Sequence, residues 1–146
     1  MRALGIDLGS KRIGVALANS DGTLATPFEV VPRSGDRGRD HRAIRALAEE
    51  MGAVMLVVGL PLTLDGTEGT AALAARAEAA ELASATGLPV ELWDERLTTV
   101  SADRDLLGLD LRAPARRKVV DKVAAAIMLQ AWLDHRRART IEDPPT

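Results

Sequence analysis

Hydrophobic and polar residues alternate along the first third of the chain, and this pattern predicts three β-strands. The predicted strands are Ala3 to Leu8, Ile13 to Ala18 and about Leu24 to Val31. A tight turn from Gly9 to Arg12 joins the first two strands, and Ser20-Asp21-Gly22-Thr23 is typical of a hairpin connection. Strands joined in this way form an antiparallel meander, and Pro27 places part of the third strand at a sheet edge.

The rest of the chain alternates between short apolar runs and helical patterns. Strands are predicted at Val54 to Val58 and Val90 to Trp93, and helices at about Asp40 to Met51, Thr70 to Thr86 and Arg116 to Arg137. Thr98 or Thr99 would cap a further short helix that ends near Leu107. A meander that leads into βαβ units predicts an α/β fold with a mixed five-stranded sheet and helices on both faces.

With 146 residues, of which 47% are hydrophobic, the chain is suited to one domain. We expect this domain to cover residues 1–137 and residues 138–146 to form a frayed tail. The absence of cysteine excludes disulfides and thiolate chemistry, and it suits a reducing cytoplasm. The longest uncharged run, Met51 to Leu64, is too short to span a bilayer, so no membrane association is expected.

Composition limits how the chain would bind nucleic acid. The formal net charge is −2, so attraction to a polyanion must come from local groups of Lys and Arg. Only 2% of the residues are aromatic, which argues against a surface that stacks successive bases. His41 and His135 lack the spacing of metal ligands, and we expect both at the surface.

Three carboxylates occupy unusual positions. Asp7 lies inside the first strand between Gly5 and Gly9, which leave an open floor for a large ligand. Glu95 follows the last strand, at the edge where open α/β sheets bind ligands. Asp121 begins an otherwise apolar helix, where a carboxylate needs a partner or a cation.

Each acid also has a plainer explanation. Asp7 can start a turn, Glu95 can precede a helix, and Asp121 complements a helix dipole. Together, however, they form a set of oxygen ligands that suits one or two Mg²⁺ or Mn²⁺ ions, and such ions support phosphodiester hydrolysis without a Ser, Cys or His nucleophile. We therefore predict that Asp7, Glu95 and Asp121 are metal ligands and catalytic residues.

Cationic side chains near these acids are candidates for binding substrate phosphates. They are Lys11, Arg12, Arg96, Arg112, Arg116, Arg117, Lys118 and Lys122. Cations just beyond a catalytic acid can clamp the phosphate at the cleaved bond, and the cluster from Arg112 to Lys122 would form a track beside the site. A second group of arginines, between Arg33 and Arg45, is expected to form a solvated loop and helix face.

Four blocks of the sequence resemble the YqgF family, also called RuvX. They are Gly5 to Ala16 (GIDLGSKRIGVA), Val58 to Gly69, Asp94 to Thr99 (DERLTT) and Lys118 to Gln130, in the family's order. The resemblance covers Leu4 to Leu133. It implies a ribonuclease H-like fold and a divalent-metal nuclease, a hydrolase of ester bonds, that trims the 5′ end of the small-subunit (pre-16S) ribosomal RNA precursor. Carried over by position, the family's acids are Asp7, Glu95 and Asp121.

Three alternatives stay open. The family has also been linked to Holliday junction resolution, although RuvC-type resolvases carry a second acid on the last helix where this chain has Ala124. The segment Gly5 to Ser10 also resembles the first phosphate loop of actin, Hsp70 and sugar kinases, which need two such domains. A non-catalytic RNA-binding assembly protein is the third. We favour precursor ribosomal RNA over branched DNA, leave the oligomeric state open, and interpret Leu62 to Gly69 as a mobile flap.

Overall fold

The computed structural model describes residues 2–63, 65–97 and 114–142, and within the last range the side chains of residues 120–138. The elements in chain order are β1 (Ala3–Leu8), β2 (Arg12–Ala18), β3 (Ala25–Pro32), α1 (Arg37–Met51), β4 (Met55–Leu60), α2 (Thr70–Thr86), β5 (Val90–Asp94), a 3₁₀ turn (Glu95–Leu97) and α3 (Pro114–Glu142). This order confirms the prediction. The short helix predicted from Thr98 or Thr99 to Leu107 lies outside the described residues.

The five strands form one mixed sheet in the order β3-β2-β1-β4-β5. The first three strands pair antiparallel as a meander, whereas β4 pairs parallel with both β1 and β5. β3 is thus at the edge of the sheet, as Pro27 predicted. Its pairing with β2 shifts register between Val15 and Ala16, opposite the proline, because Pro27 has no N–H to continue the ladder.

Helices cover both faces of this sheet. α3 packs on one face in a core with Ala3, Val57 and Trp93. α1 and α2 cover the other face, where alternate strand residues such as Leu4 and Ile6 meet them. β4 is buried along its whole length, as expected for an apolar strand with helices on both sides.

Two glycines allow α3 to lie directly on the sheet. A Cβ added at Gly5 would come within 2.8 Å of the Leu129 Cβ atom, and one added at Gly14 would overlap the backbone carbonyl of Asp121. Side chains at either position would push the helix away from β1 and β2. The close approach fixes the position of α3 along β1 and β2.

Both terminal helices differ from their predicted bounds. α1 begins at Arg37 rather than near Asp40, because the Asp36 side chain accepts a hydrogen bond from the Arg39 backbone N–H and caps the helix. α3 begins at Pro114, two residues before the predicted start at Arg116, since proline is favoured in a first helical turn. It continues past Arg137 to Glu142, so residues 138–142 of the predicted tail are helical; residues 143–146 lie outside the description.

Within the described part of the chain, no helix combines the length and the apolar character needed to cross a membrane.

Candidate active site

Two of the predicted catalytic acids meet at one end of the sheet. Asp7 follows Ala3 and Gly5 on the face that α3 covers, and Gly59 follows Met55 and Val57 on the same face of the neighbouring strand. Glu95 comes directly after β5, and its carboxylate lies over Gly59 so closely that a Cβ there would overlap it. A glycine in β4 is therefore what makes room for Glu95 beside Asp7.

Asp7 and Glu95 line the same cleft, which has a volume of about 560 Å³. Burial raises the pKa of Glu95 to about 7, and the negative charges of Asp7 and Asp94 act in the same direction. Two carboxylates that repel one another in a half-buried cleft are costly for stability alone. Such an arrangement is common where a protein binds a cation or transfers protons.

Asp121 lies beside this pair but is turned away from it. Its backbone rests on Gly14, the residue of β2 that pairs with Asp7. Its carboxylate accepts a hydrogen bond from Arg12 Nε at 2.6 Å, with both side chains partly buried. Asp121 is not among the described residues that line the cleft. In this structure the third predicted acid is therefore paired with a cation.

The residues present fit a divalent cation, although the geometry is not that of a closed site. Among the described residues, no three His, Asp or Glu side chains are close enough together to surround one metal ion. Asp7 and Glu95 nevertheless offer hard oxygen ligands, and a cation would offset both the burial of Glu95 and the neighbouring negative charges, which in that order raise its pKa. Asp121 would become a third ligand only if its carboxylate released Arg12 and bound the ion instead.

Two of the cations predicted to bind phosphate form ion pairs with carboxylates in this structure. Arg12 pairs with Asp121, and Arg96 donates to Asp94 from Nε and from a terminal nitrogen at 2.7 Å, which lowers the pKa of Asp94. Lys11 is exposed and Lys122 half-buried on α3. The other members lie outside the described side chains: Arg112, Arg116, Arg117 and Lys118. Phosphate binding by this group stays a prediction.

The loop before α2 is hydrogen-bonded within itself and lies beside Arg96. The carboxylate of Asp65 accepts hydrogen bonds from the side chains of Thr63 and Thr67, and these bonds lower its pKa to about 2. Gly66 has a φ of 87°, and its Cα faces the guanidinium of Arg96. Leu64 lies outside the description. The segment predicted to be a flap thus forms a hydrogen-bonded turn next to Arg96, which follows Glu95 in the chain.

A buried cluster that the sequence did not predict forms another wall of the cleft. Arg33 donates to Glu78 through both terminal nitrogens, at 2.7 and 2.9 Å, and Glu78 also contacts His41 Nε2 at 2.8 Å. The expectations that His41 is a surface residue and that Arg33 belongs to a solvated loop are wrong. One signal was available: Glu78 shares the helical stripe of Ala75 and Leu82, both of which are buried.

The family is decided by comparison with known sequences. A family model described as "RuvX: Holliday junction resolvase" matches residues 1–135. The chain belongs to the RuvX family. This membership confirms the resemblance of the four sequence blocks.

Curated RuvX-family relatives share the name "Putative pre-16S rRNA nuclease". The relative from Mycolicibacterium paratuberculosis is 52% identical over 143 residues, covering 97% of this chain and 84% of that protein. The relative from Geobacillus thermodenitrificans is 44% identical over 138 residues, covering 94% of this chain and 100% of that protein. The likeness thus extends over nearly the whole chain.

Solved structures show the same fold. The structure titled "T. thermophilus RuvC in complex with Holliday junction substrate" matches with a TM-score of 0.59 and 20% identity, covering 94% of this chain and 96% of that one. A second RuvC structure from Thermus thermophilus matches with a TM-score of 0.58. At this level of identity the match concerns the fold, and it confirms the ribonuclease H-like architecture.

Proposed function

We propose that this RuvX-family chain is a divalent-metal-dependent nuclease that processes the 5′ end of pre-16S ribosomal RNA in the cytoplasm. The observation that carries the proposal is the meeting of Asp7 and Glu95 in one cleft, where burial and mutual repulsion raise the pKa of Glu95 to about 7. The backbone of Asp121 on α3 rests on Gly14, the residue of β2 that pairs with Asp7, so the third acid lies near the first. The substrate is proposed from the name that the curated relatives carry.

In this proposal the three acids hold one or two Mg²⁺ or Mn²⁺ ions and are the catalytic residues. A bound divalent ion supplies Lewis acidity for an in-line displacement at phosphorus. Asp7, Glu95 and Asp121 would hold this ion, and its positive charge would attract the scissile phosphate to the end of the sheet where Asp7 and Glu95 lie. The half-buried cleft limits the access of bulk water, which strengthens each of these electrostatic interactions.

Substrate phosphates are proposed to contact cations around the acids. Lys11 is exposed in the turn after Asp7, and Arg96 and Arg12 can exchange their carboxylate partners for phosphate oxygens, with which guanidinium forms bidentate hydrogen bonds. A basic cluster would extend this contact along the nucleic-acid strand; its members are Arg112, Arg116, Arg117, Lys118 and Lys122. Local cations are needed because the chain as a whole carries a net charge of −2.

A second candidate function is the resolution of Holliday junctions. It is favoured by the description of the matching family model and by the fold shared with RuvC. Against it, the residue one turn after Asp121 on α3 is Ala124, which is buried and has no carboxylate. We therefore rank ribosomal RNA processing first.

Parallel cleavage assays distinguish the two functions. The purified protein is incubated with an RNA fragment that contains the 5′ leader of the 16S precursor and, separately, with a four-way DNA junction, each with Mg²⁺, Mn²⁺ or EDTA. We expect cleavage of the RNA that EDTA abolishes. Preferential cleavage of the junction would replace the first proposal by the second. Binding without cleavage of either substrate, under every metal condition, would contradict both and leave an RNA-binding assembly factor.

A further inference from the structure

We propose that Arg33 is a positioning residue of the active site, which holds residues 9–11 and through them Asp7. The inference rests on the proposed nuclease function for its consequence in catalysis. It concerns the turn between β1 and β2, residues 9–11, which follows the last two residues of β1, Asp7 and Leu8, and ends directly before Arg12. Residues on both sides of the turn belong to the site: Asp7 lines the cleft, and Arg12 pairs with Asp121.

Arg33 contacts this turn at two points. Its backbone N–H donates to the carbonyl of Lys11 at 2.9 Å, and its side-chain Nε donates to the carbonyl of Gly9 at 3.0 Å. The N–H of Gly9 in turn donates to the carbonyl of Asp7 at 3.1 Å. A continuous series of hydrogen bonds therefore leads from the Arg33 side chain to the backbone of Asp7.

The orientation of Arg33 is itself fixed by two helices. Both terminal nitrogens of its guanidinium donate to the carboxylate of Glu78 on α2, at 2.7 and 2.9 Å. Glu78 also contacts His41 Nε2 on α1 at 2.8 Å, and these two residues are only 4% and 2% exposed. A planar guanidinium held by two parallel hydrogen bonds cannot rotate, so its Nε is aimed at Gly9.

Stability alone does not require this arrangement. Replacing a buried ion pair by apolar side chains of similar volume is often neutral or stabilising, because the pair loses hydration when it is buried. What apolar residues cannot replace is the hydrogen bond from Nε to the Gly9 carbonyl. Positioning matters for catalysis, since a displacement of about 1 Å at a reacting group can reduce a rate by about a hundredfold.

The decisive variant is R33M/E78L, which removes both charges at once and leaves no unpaired carboxylate. Its control is R45M/E49L, because Arg45 and Glu49 form an exposed ion pair of 3.0 Å on α1 and neither residue lines the cleft. We expect R33M/E78L to fold, with a Tm lowered because the buried His41 loses its Glu78 partner. Its kcat should fall by about tenfold to a hundredfold with little change in KM, whereas the control should keep its kcat.

A readout that does not depend on cleavage is amide hydrogen exchange measured by NMR. Exchange of the amides at residues 9–11 should be faster in R33M/E78L than in the wild type and unchanged in R45M/E49L. If the wild type cleaves no substrate, the proposed function fails, while the exchange rates still test the hold of Arg33 on the turn. A folded R33M/E78L that keeps its kcat, or keeps its exchange rates, overturns the inference.

R33K provides a second test in case the double variant does not fold. Lysine keeps the positive charge beside Glu78, but a single ammonium cannot form the fork to Glu78 and also reach Gly9. We expect a folded protein with a low kcat and fast exchange at residues 9–11. Wild-type kcat in R33K would show that Arg33 only balances the charge of Glu78, which contradicts a positioning role.

Discussion

At the scale of single residues, Glu95 has the most demanding environment of the described acids in the site. It is held over Gly59 and near Asp7 and Asp94, and its pKa rises to about 7, largely because of burial. Asp94 is different, because the guanidinium of Arg96 lowers its pKa. Two adjacent carboxylates of one short segment thus carry different protonation preferences, and of these two only Glu95 titrates near neutral pH.

This difference predicts how stability depends on pH. Between the ordinary pKa of 4.5 and about 7, the folded protein keeps a proton on Glu95 that the unfolded chain has released. The free energy of unfolding contributed by this group therefore falls as the pH rises through that window. Thermal unfolding measured across this pH range without divalent ions should show the loss of stability as the pH rises. In E95Q the dependence of stability on pH should be weaker.

Magnesium should act in the opposite direction. Protons and cations compete for the same carboxylate, so the stabilisation by Mg²⁺ should increase as the pH rises towards about 7 and beyond. An E95Q variant with the wild-type pH slope, and with the wild-type response to Mg²⁺, would contradict the assignment of Glu95 as a metal ligand.

At the scale of the elements, the position of α3 depends on glycine. Gly14 of β2 allows the backbone of Asp121 to lie against the strand, and Gly5 of β1 does the same for Leu129. Because Gly14 pairs with Asp7, this packing also sets the distance between the third predicted acid and the first. The same two glycines therefore serve the core and the site.

We expect G14A to displace α3 and to lower the free energy of unfolding by about 1–3 kcal/mol, the usual cost of adding a methyl group to a packed core. Urea denaturation measures this loss. A suitable control is G38A on the exposed face of α1, where an added Cβ has only ordinary contacts at 3.4 Å and alanine should raise stability by about 0.5–1 kcal/mol. Equal stability of G14A and the wild type would mean that α3 does not depend on this contact.

The elements also show which features the sequence can predict. The five strands and the antiparallel pairing of the first three followed from alternation, turn residues and Pro27, since these act over a few neighbouring positions. The early start of α1 was missed because Arg37 and Gly38 resemble a loop, although Asp36 was a recognisable cap. Local sequence signals are thus enough to predict helices and strands. When one such signal is overlooked, as Asp36 was, the predicted boundary of the helix is shifted by a few residues.

The site was only partly predictable for a different reason. Asp7 stood out because acids are rare inside strands, and Glu95 because it follows a strand at the edge where such sheets bind ligands; the structure brings the two together. The cluster of Arg33, His41 and Glu78 was not predicted, because each residue is unremarkable in its own segment. Their burial depends on contacts 37 and 45 positions apart along the chain, to which no local pattern is sensitive.

At the scale of the whole molecule, the charge distribution limits how a polyanion binds. The net charge of −2 gives no general attraction, so binding to RNA must depend on a few local cations. The densest basic cluster in the sequence, from Arg112 to Lys122, includes the residues just before and after Asp121 of α3. The position of these cations along the chain is the reason to expect the substrate strand on that side of the acids.

Salt dependence tests this expectation. If Arg116 and Arg117 bind phosphates, replacing both by Gln should weaken RNA binding and reduce the slope of log K against log salt by about 0.7 for each phosphate of a single strand that is no longer neutralised. Filter binding at several salt concentrations measures the slope. The variant R136Q/R137Q, farther along α3, provides the control. An unaltered slope in R116Q/R117Q would mean that these two arginines do not bind phosphates of the RNA.

The most direct test of the central claim is the rate of Mg²⁺-dependent cleavage of precursor ribosomal RNA by the single variants D7N, E95Q and D121N. The acid Asp134, exposed farther along α3, provides the control variant D134N. We predict that each of the three variants keeps the wild-type circular dichroism spectrum and loses cleavage by about a hundredfold or more, while D134N cleaves normally. Wild-type cleavage rates in D7N, E95Q and D121N would contradict the assignment of these acids to one catalytic metal site.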